Sequence, residues 1–397
     1  KVKAGSVLMI DKNRPEIKFV SPVSGEVTAV NRGEKRKVLS VVVKPEAQIE
    51  YEDFGKKNVA SLKREEVKEA ILHAGMWPFI KQRPYDIVAS PADEPRDIFV
   101  SAFYSAPLAP NFDFVVKGQE VDFQTGLDAL AKLTDGKVYV GIRKGSSVSV
   151  KGVETVEVEG PHPAANVGVQ INHIKPINKG EVVWTVNPAD VIVIGRLFNK
   201  GIADFSRLVV ITGSETTERG YVKAIAGCTI ASLVDGKIMR GNDDIRIISG
   251  NVLTGTKVEK NDYLGAYDNQ ITVIPEGDET HDFFGWATPG FGKFSVSHSF
   301  PAWLMGKNKE YVIDARIKGG KRAMIMSNEY DSVFPMDIMP EYLLKAIIAF
   351  DIDKMENLGI YEVAPEDFAL CEFVDTSKLE IQKIVRQGLD VLYKEMN

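Results

Sequence analysis

Four changes of rhythm along the chain constrain its fold more than any single motif. Residues 1 to about 45 carry short β-rich runs, Val7–Ile10, Ile17–Val20, Glu26–Val30 and Val38–Val43, separated by the turns Asp11-Lys12-Asn13-Arg14-Pro15, Pro22-Val23-Ser24-Gly25 and Asn31-Arg32-Gly33-Glu34. Such spacing predicts a small barrel or sandwich. Lys63–His73 follows with Val67, Ala70, Ile71 and Ala74 at helical spacing, and Gly75 supplies the residue that ends a helix. From Tyr85 strand and helix patterns alternate: Ile98–Phe103 and Val138–Ile142 as strands, Val121–Leu133 as an amphipathic helix, Val156–Val158 and Val191–Ile194 as further strands. Continuous apolar strands of this kind are covered on both faces, so an α/β layer with a parallel sheet is predicted. Between residues 207 and 274 β signals return (Leu208–Ile211, Ile245–Ile248, Ile271–Ile274) around one or two helical turns at Ile230–Val234, the pattern of a β-grasp-like module. Beyond Pro340 the rhythm is helical: Glu341–Phe350, Lys354–Leu358, Pro365–Phe373 and Leu379–Tyr393.

A chain of 397 residues exceeds one ordinary core, so these rhythms are expected to mark domains. Charge is mixed and the net value is −6, which leaves no basic footprint for nucleic acid. The apolar run Tyr342–Phe350 is interrupted by Lys345 and falls short of the ~20 residues needed to span a bilayer. Membrane contact is therefore expected to be peripheral. Cys228 and Cys371 alone cannot build a disulfide framework or a four-thiolate cluster, which fits a reducing compartment. The chain opens at Lys1 as if entered within a domain, and a preceding segment is expected to be missing.

No HExxH, GxSxG, GxxxxGK or GxGxxG pattern occurs. Four segments stand out instead. Lys18–Val27 has the strand, Pro-Gly turn and strand of a biotinyl/lipoyl-type half-repeat, with Lys12 at the hairpin tip where a carrier lysine would stand; Asp-Lys-Asn-Arg-Pro lacks flanking methionines, so an unmodified scaffold is favoured over a carrier. Ala74–Asp86 leads from a helix end toward the α/β layer, a place where glycine-rich turns cradle phosphate. Here Trp77 and Pro78 fill that space, and a packed aromatic loop is favoured. Gly160–His173 holds His162 and His173 without carboxylate or thiolate partners at metal-ligand spacing, so turn and packing histidines are favoured over a metal site, with the polar end of a ligand cleft as the minority reading. Phe283–Ser295 interleaves aromatics and glycines, which favours an interface over a stacked planar ligand.

Taken together and in order, Ser21–Gly25, Leu133–Val140, Gly160–Ala164, Arg246–Thr256, Phe284–Ala287 with Lys293–Val296, and Ala369–Val374 resemble the NqrA family, a subunit type of the sodium-translocating NADH:quinone reductase. The resemblance spans nearly the whole chain. It implies a barrel-sandwich (biotinyl/lipoyl-like) module over 1–50, a Rossmann-like α/β domain over 51–204 related to the flavin subunit of respiratory complex I, and a β-grasp-like module of the SLBB type over 205–275. A connecting β/loop region over 276–335 and a C-terminal helical domain over 336–397 complete it. It further implies a membrane-extrinsic, cytoplasmic-face component of a six-subunit sodium pump, with NADH and FMN or FAD on partner subunits. No flavin or iron–sulfur cluster is expected on this chain, because the related flavin loop reads Gly75-Met76-Trp77-Pro78 and the family's second cysteine is replaced by Asp375. Members have been linked to quinone, and Trp77, Phe79, His162 and His173 are the residues expected to line a quinone cleft. Competing expectations are an independent flavoenzyme with the complex I-like fold and a carrier modified at Lys12.

Overall fold

The structure is a computed structural model that describes residues 1–239, 244–278, 290, 292–306 and 309–396. The Phe283–Ser295 aromatic stretch therefore lies mostly outside the described residues, as does the Phe284–Ala287 segment.

The N-terminal unit holds two antiparallel ribbons, β1 (Val7–Ile10) with β2 (Lys18–Val20) and β3 (Gly25–Arg32) with β4 (Val38–Pro45). Helix α1 (Arg64–His73) begins where Glu66 accepts the Lys63 backbone N–H at 2.8 Å, and ends on Gly75 at φ +67°. That glycine is required twice over: its backbone is left-handed, and a Cβ there would lie 2.4 Å from Val20 of the first unit.

The α/β layer is a six-stranded sheet of β5 (Ile80–Arg83), β6 (Ile87–Val88), β7 (Ile98–Ser101), β8 (Val138–Arg143), β9 (Glu154–Val158) and β10 (Val183–Val186), in the order β6-β5-β10-β7-β8-β9. Four strands, β10 to β9, run parallel as expected; β5 and β6 extend the sheet antiparallel, so it is mixed. Helices α2 (Phe112–Val115), α3 (Glu120–Lys132), α4 (Val167–Ile174) and α5 (Pro188–Lys200) connect and cover it. The period-2 geometry of strands splits their side chains between two cores. Ile98, Val100, Val138, Val140 and Trp184 enter the core beneath α1, α3 and α5, whereas Phe99 and Val183 pack against Ile171 of α4. Helices α3 and α5 approach through glycines: a Cβ on Gly126 would sit 2.1 Å from Val191 O, and one on Gly195 1.7 Å from Asp122 O.

Val191–Ile194, expected as a strand, is helical and lies in α5. Its β-branched run is buried on every side of a helix sealed between the sheet and the next module, a setting in which tertiary burial overrides strand propensity. The strand stands one segment earlier, at Val183–Val186.

Beyond this layer, β11 (Ser206–Thr212), β12 (Gly220–Ile225), α6 (Ile230–Val234), β13 (Ile245–Ser249), β14 (Thr256–Val258) and β15 (Gln270–Pro275) form a five-stranded sheet in the order β12-β11-β15-β13-β14, with β11 and β15 parallel. Helix α6 seats Ile230, Leu233 and Val234 on Val209, Ile211, Ile271 and Val273. Among the described residues of 276–335 only two short 3-10 turns occur, Pro301–Met305 and Tyr330–Ser332, and the β part of that expectation is not seen. Helices α7 (Pro340–Ile348), α8 (Ile352–Asn357), α9 (Ala369–Val374) and α10 (Ile381–Met396) make the C-terminal unit. Helix α10 presents Ile381, Val385, Gly388, Leu389 and Leu392 to one core, and a Cβ on Gly388 would meet Ile347 of α7 at 2.8 Å.

Candidate functional site

In open α/β sheets the usable crevice opens at the C-terminal ends of adjacent parallel strands whose connections diverge. Here those strands are β7, which leads on to β8 and β9, and β10, which returns on its other side. Two chemically different clusters of polar groups occupy this place.

The first closes the crevice. The Tyr104 hydroxyl, in the loop after β7, donates to Asn187 Oδ1 at 3.0 Å in the turn after β10. Asn187 also caps α5, accepting the Ala189 N–H at 3.0 Å, and Pro188 follows at the first helical position. From the five-stranded module, Asn269 Nδ2 donates to the same Tyr104 hydroxyl at 2.7 Å, and Tyr221 Oη accepts the Asn111 N–H at 2.7 Å. A Tyr104–Asn187–Asn269 bridge thus spans the strand ends, and burial raises the Tyr104 phenol well above its usual range. Beneath it lies a charged pair, Asp190 in the first turn of α5 and Arg207 on β11, 1% and 4% exposed, with Nη2 to Oδ1 at 3.1 Å. Among the described residues Asp190 Oδ2 and Arg207 Nε and Nη1 have no partner. Burial pushes the Asp190 carboxyl up to about 6, against the opposing pull of Arg207 and Lys81. Phe79, Phe205 and Tyr267 wall this seam: Phe79 lies 6.0 Å from Phe205 and 6.2 Å from Tyr267, the Arg207 guanidinium is 5.9 Å from the Phe79 ring, and Tyr267 Oη donates to Pro78 O at 2.8 Å.

The second cluster lies on the α4 side. Ser105 Oγ accepts the Ala165 N–H at 3.0 Å and meets His162 Nδ1 at 3.0 Å. Assigning the hydroxyl as donor to Nδ1 puts the ring proton on Nε2, which is buried and has no partner among the described residues. Burial lowers the His162 pKa and keeps the ring neutral at pH 7. Gln170 Nε2 donates to Ser101 Oγ at 2.9 Å and Ala164 O at 3.2 Å, and its amide lies where a Cβ on Gly141 would stand.

The four residues expected to share a cleft are placed apart. Trp77 is 0% exposed, donates from Nε1 to Ala89 O at 2.8 Å, and meets Trp184 edge-on at 5.4 Å. Phe79 stands in the seam and His162 beside the Ser105 loop. His173 is exposed, and its Nδ1 lies 2.8 Å from Val169 O of its own helix. Among the described contacts none joins Trp77 or Phe79 to either histidine. Lys12 is exposed on the turn between β1 and β2, and Arg14 of that turn donates to Val88 O and Tyr393 Oη, both at 3.1 Å. At the C-terminal end, Asp375 is buried and accepts the Tyr330 hydroxyl and the Ser377 and Leu379 N–H groups, while burial drives the Cys371 thiol far above its usual range. Among the described residues no three His, Cys, Asp or Glu side chains converge as metal ligands.

Sequence reasoning passed over Tyr104, Asn187, Asp190, Arg207 and Asn269. One signal was available: Asn187-Pro188 directly after the apolar run Val182–Val186 marks a strand end meeting a capped helix.

Comparison with known proteins agrees with this layout. Family models match residues 1–46 (NqrA N-terminal barrel-sandwich hybrid domain), 62–203 (NqrA second alpha/beta domain) and 208–260 (NQRA C-terminal domain, SLBB). The chain is 37% identical over 400 aligned residues to the NqrA polypeptide of the Na(+)-translocating NADH-quinone reductase of Neisseria meningitidis serogroup A, covering 99% of this chain and 89% of that protein. It is 38% identical, with the same coverage, to the corresponding polypeptide from Vibrio atlanticus. Among solved structures, an NAD+-reducing [NiFe]-hydrogenase aligns at TM-score 0.43 and 12% identity over 85% of this chain and 62% of that one, a likeness too loose to carry an argument.

Proposed function

The chain belongs to the NqrA family of Na(+)-translocating NADH-quinone reductase subunits, and from that premise we propose that it is the membrane-extrinsic component of a sodium-pumping NADH:quinone oxidoreductase, docking within the complex without redox chemistry of its own. The observation that carries this reading is the closed switch-point crevice. A dinucleotide or flavin would need the space that the Tyr104–Asn187–Asn269 bridge fills, and a phosphate would need the turn at Gly75 against which Val20 packs. NADH and flavin chemistry accordingly belongs to partner subunits, including membrane-embedded ones. The parallel strands β10 to β9, covered by helices on both faces, support a Rossmann-like layer related to the flavin-binding component of complex I. Among the described residues no helix is long and apolar enough to cross a membrane. The docking reading places the chain peripherally, at the cytoplasmic face of the inner membrane.

A second reading concerns quinone. The neutral His162 with a buried, unpartnered Nε2 offers one donor to a quinone carbonyl, and of the four residues expected to line a cleft it has the chemistry best suited to that contact. Phe79 of the seam and the more distant Trp77 and His173 join it only if the loops rearrange on binding.

The docking reading is tested by solubilising membranes from cells carrying an affinity-tagged chain. Recovery of the tagged chain with membrane-embedded partners is expected; recovery of a free monomer under conditions that keep other respiratory complexes whole contradicts it. For quinone, titration with a short-tailed quinone should show binding that His162→Phe weakens at least about tenfold, as loss of a buried hydrogen bond to a carbonyl requires. Absence of binding removes the second reading and leaves the first.

A further inference from the structure

The tip of the β3–β4 ribbon combines features that no part of the reading above uses. Arg32, Lys35, Arg36 and Lys37 fall within six positions there, all exposed, on a chain whose net charge is −6. The turn includes one carboxylate, Glu34, and among the described residues none of the four cations has an ion-pair partner; Arg32 Nη1 donates only to Arg36 O at 3.1 Å. Lys35 and Arg36 sit at φ +52° and +60°, a left-handed backbone that glycine or asparagine would adopt more easily, so the turn holds cations where its geometry favours other residues. Beside them Leu39 is 65% exposed. The register jumps from Asn31↔Ser40 to Arg32↔Val38, so Leu39 is the unpaired extra residue of a bulge, and it projects next to the cations together with Val30, 46% exposed.

Clustered cations flanking exposed aliphatic side chains match an anionic lipid surface: the cations meet headgroup phosphates while the aliphatic tips enter the acyl boundary. We propose that the 30–39 hairpin tip is a peripheral membrane contact of this chain, binding anionic phospholipid through Arg32, Lys35, Arg36 and Lys37 with Leu39 and Val30 inserted. This inference rests on the reading of the chain as extrinsic to a membrane complex, and it fixes which end of the molecule faces the bilayer. A protein partner with an acidic groove is the competing occupant. The tip offers it no concave surface or aromatic anchor, and the apolar area is confined to two aliphatic side chains.

Flotation of the full chain with protein-free vesicles separates these possibilities, because neither the partner subunits nor electron transfer is involved. Vesicles of equimolar phosphatidylglycerol and phosphatidylcholine should carry the protein upward at low salt, and pure phosphatidylcholine vesicles should not. Each cation near an anionic surface contributes about fivefold in partitioning, so Lys35→Gln with Arg36→Gln should weaken binding about twenty-five-fold. Raised salt should weaken the wild type toward the variant, and Leu39→Asp should weaken binding at every salt concentration. The exposed Lys117→Gln change serves as a control and should leave flotation intact. The proposal is overturned if the wild-type chain fails to float, if it floats equally on both vesicle types, or if the double variant, with an unchanged thermal transition, floats like the wild type. None of those results bears on co-purification with partner subunits, so failure here and failure of the docking reading remain distinguishable.

Discussion

Breaking the Asp190–Arg207 pair from its two sides should give unequal and differently pH-dependent losses. Both side chains are almost completely buried, one 3.1 Å bond joins them, and three of their polar atoms lack partners among the described residues. Removing one member of such a pair costs about 3–5 kcal/mol, because the other charge stays buried. Asp190→Leu strands a guanidinium that cannot give up its proton, so the variant's own stability should stay level from pH 4 to 8 and its deficit against the wild type should be largest at the acid end, where the wild type is most stable. Arg207→Met strands a carboxyl that can neutralise by taking up a proton, so at pH 5 its cost should be lower by about 2 kcal/mol. The wild type has a slope of its own. With the folded carboxyl pushed up to about 6 from an unfolded value near 3.8, the folded state binds more protons than the unfolded one between those values. Stability is therefore fullest below about pH 4, falls by roughly 3 kcal/mol as pH rises through 6, and is level above. Asp190→Leu should abolish this slope, whereas Arg207→Met should extend it to higher pH. Hydrogen exchange of peptides covering β11 and the first turns of α5, corrected for intrinsic rates, reads the local opening free energy directly. Equal losses with parallel pH profiles, or a loss below about 1 kcal/mol for Asp190→Leu, would refute the reasoning.

Other parts of the molecule carry their own tests. Arg83 on β5 is fully buried and donates to Asp367 Oδ2 at 2.8 Å and Glu362 O at 3.0 Å, tying the C-terminal unit to the sheet; Asp367→Asn should cost about 3 kcal/mol and let protease cut α7 to α10 before the α/β layer, and uniform protection would count against that tie. Gly126→Ala forces α3 and α5 apart against Val191 O and should lower stability by about 2–3 kcal/mol in a urea titration, with an unchanged midpoint as the adverse outcome. In the native protein at pH 7 a thiol reagent should leave Cys371 untouched and modify the half-buried Cys228 slowly, both becoming reactive only in denaturant; rapid labelling of Cys371 would show that its burial is wrong.

Much of the layout is legible in the sequence because periodicity and turn chemistry agree. Val67, Ala70 and Ile71 at helical spacing before Gly75 give α1, and the apolar strands Ile98–Ser101 and Val138–Arg143 are covered on both faces as their composition demands. Val191–Ile194 misleads because four β-branched residues look alike in a strand and in a helix buried all round. Only the Asn187-Pro188 start and Gly201 at φ +72° distinguish the two, and both lie outside the run itself. The crevice is less legible than the fold. Tyr104, Asn187 and Asn269 come from three segments separated by more than eighty positions each, and nothing local in any one of them announces a shared hydrogen-bond bridge. Phe79 stands out in the sequence, but with the wrong companions: its partners Phe205, Arg207 and Tyr267 belong to the following module, which docks onto it only in the folded chain. Asp375 is conspicuous for the cysteine it replaces, and the structure gives that position a buried bonding role with Tyr330, Ser377 and Leu379.

The visible absorption spectrum of the chain purified without its partners, followed by acid release and flavin fluorescence, addresses the central claim most directly. A crevice filled by Tyr104, Asn187 and Asn269 predicts a colourless protein that releases no flavin. One flavin released per chain, with bands that shift when Asn269 is replaced by alanine, would show that the crevice opens to a cofactor and that this chain takes part in the chemistry itself.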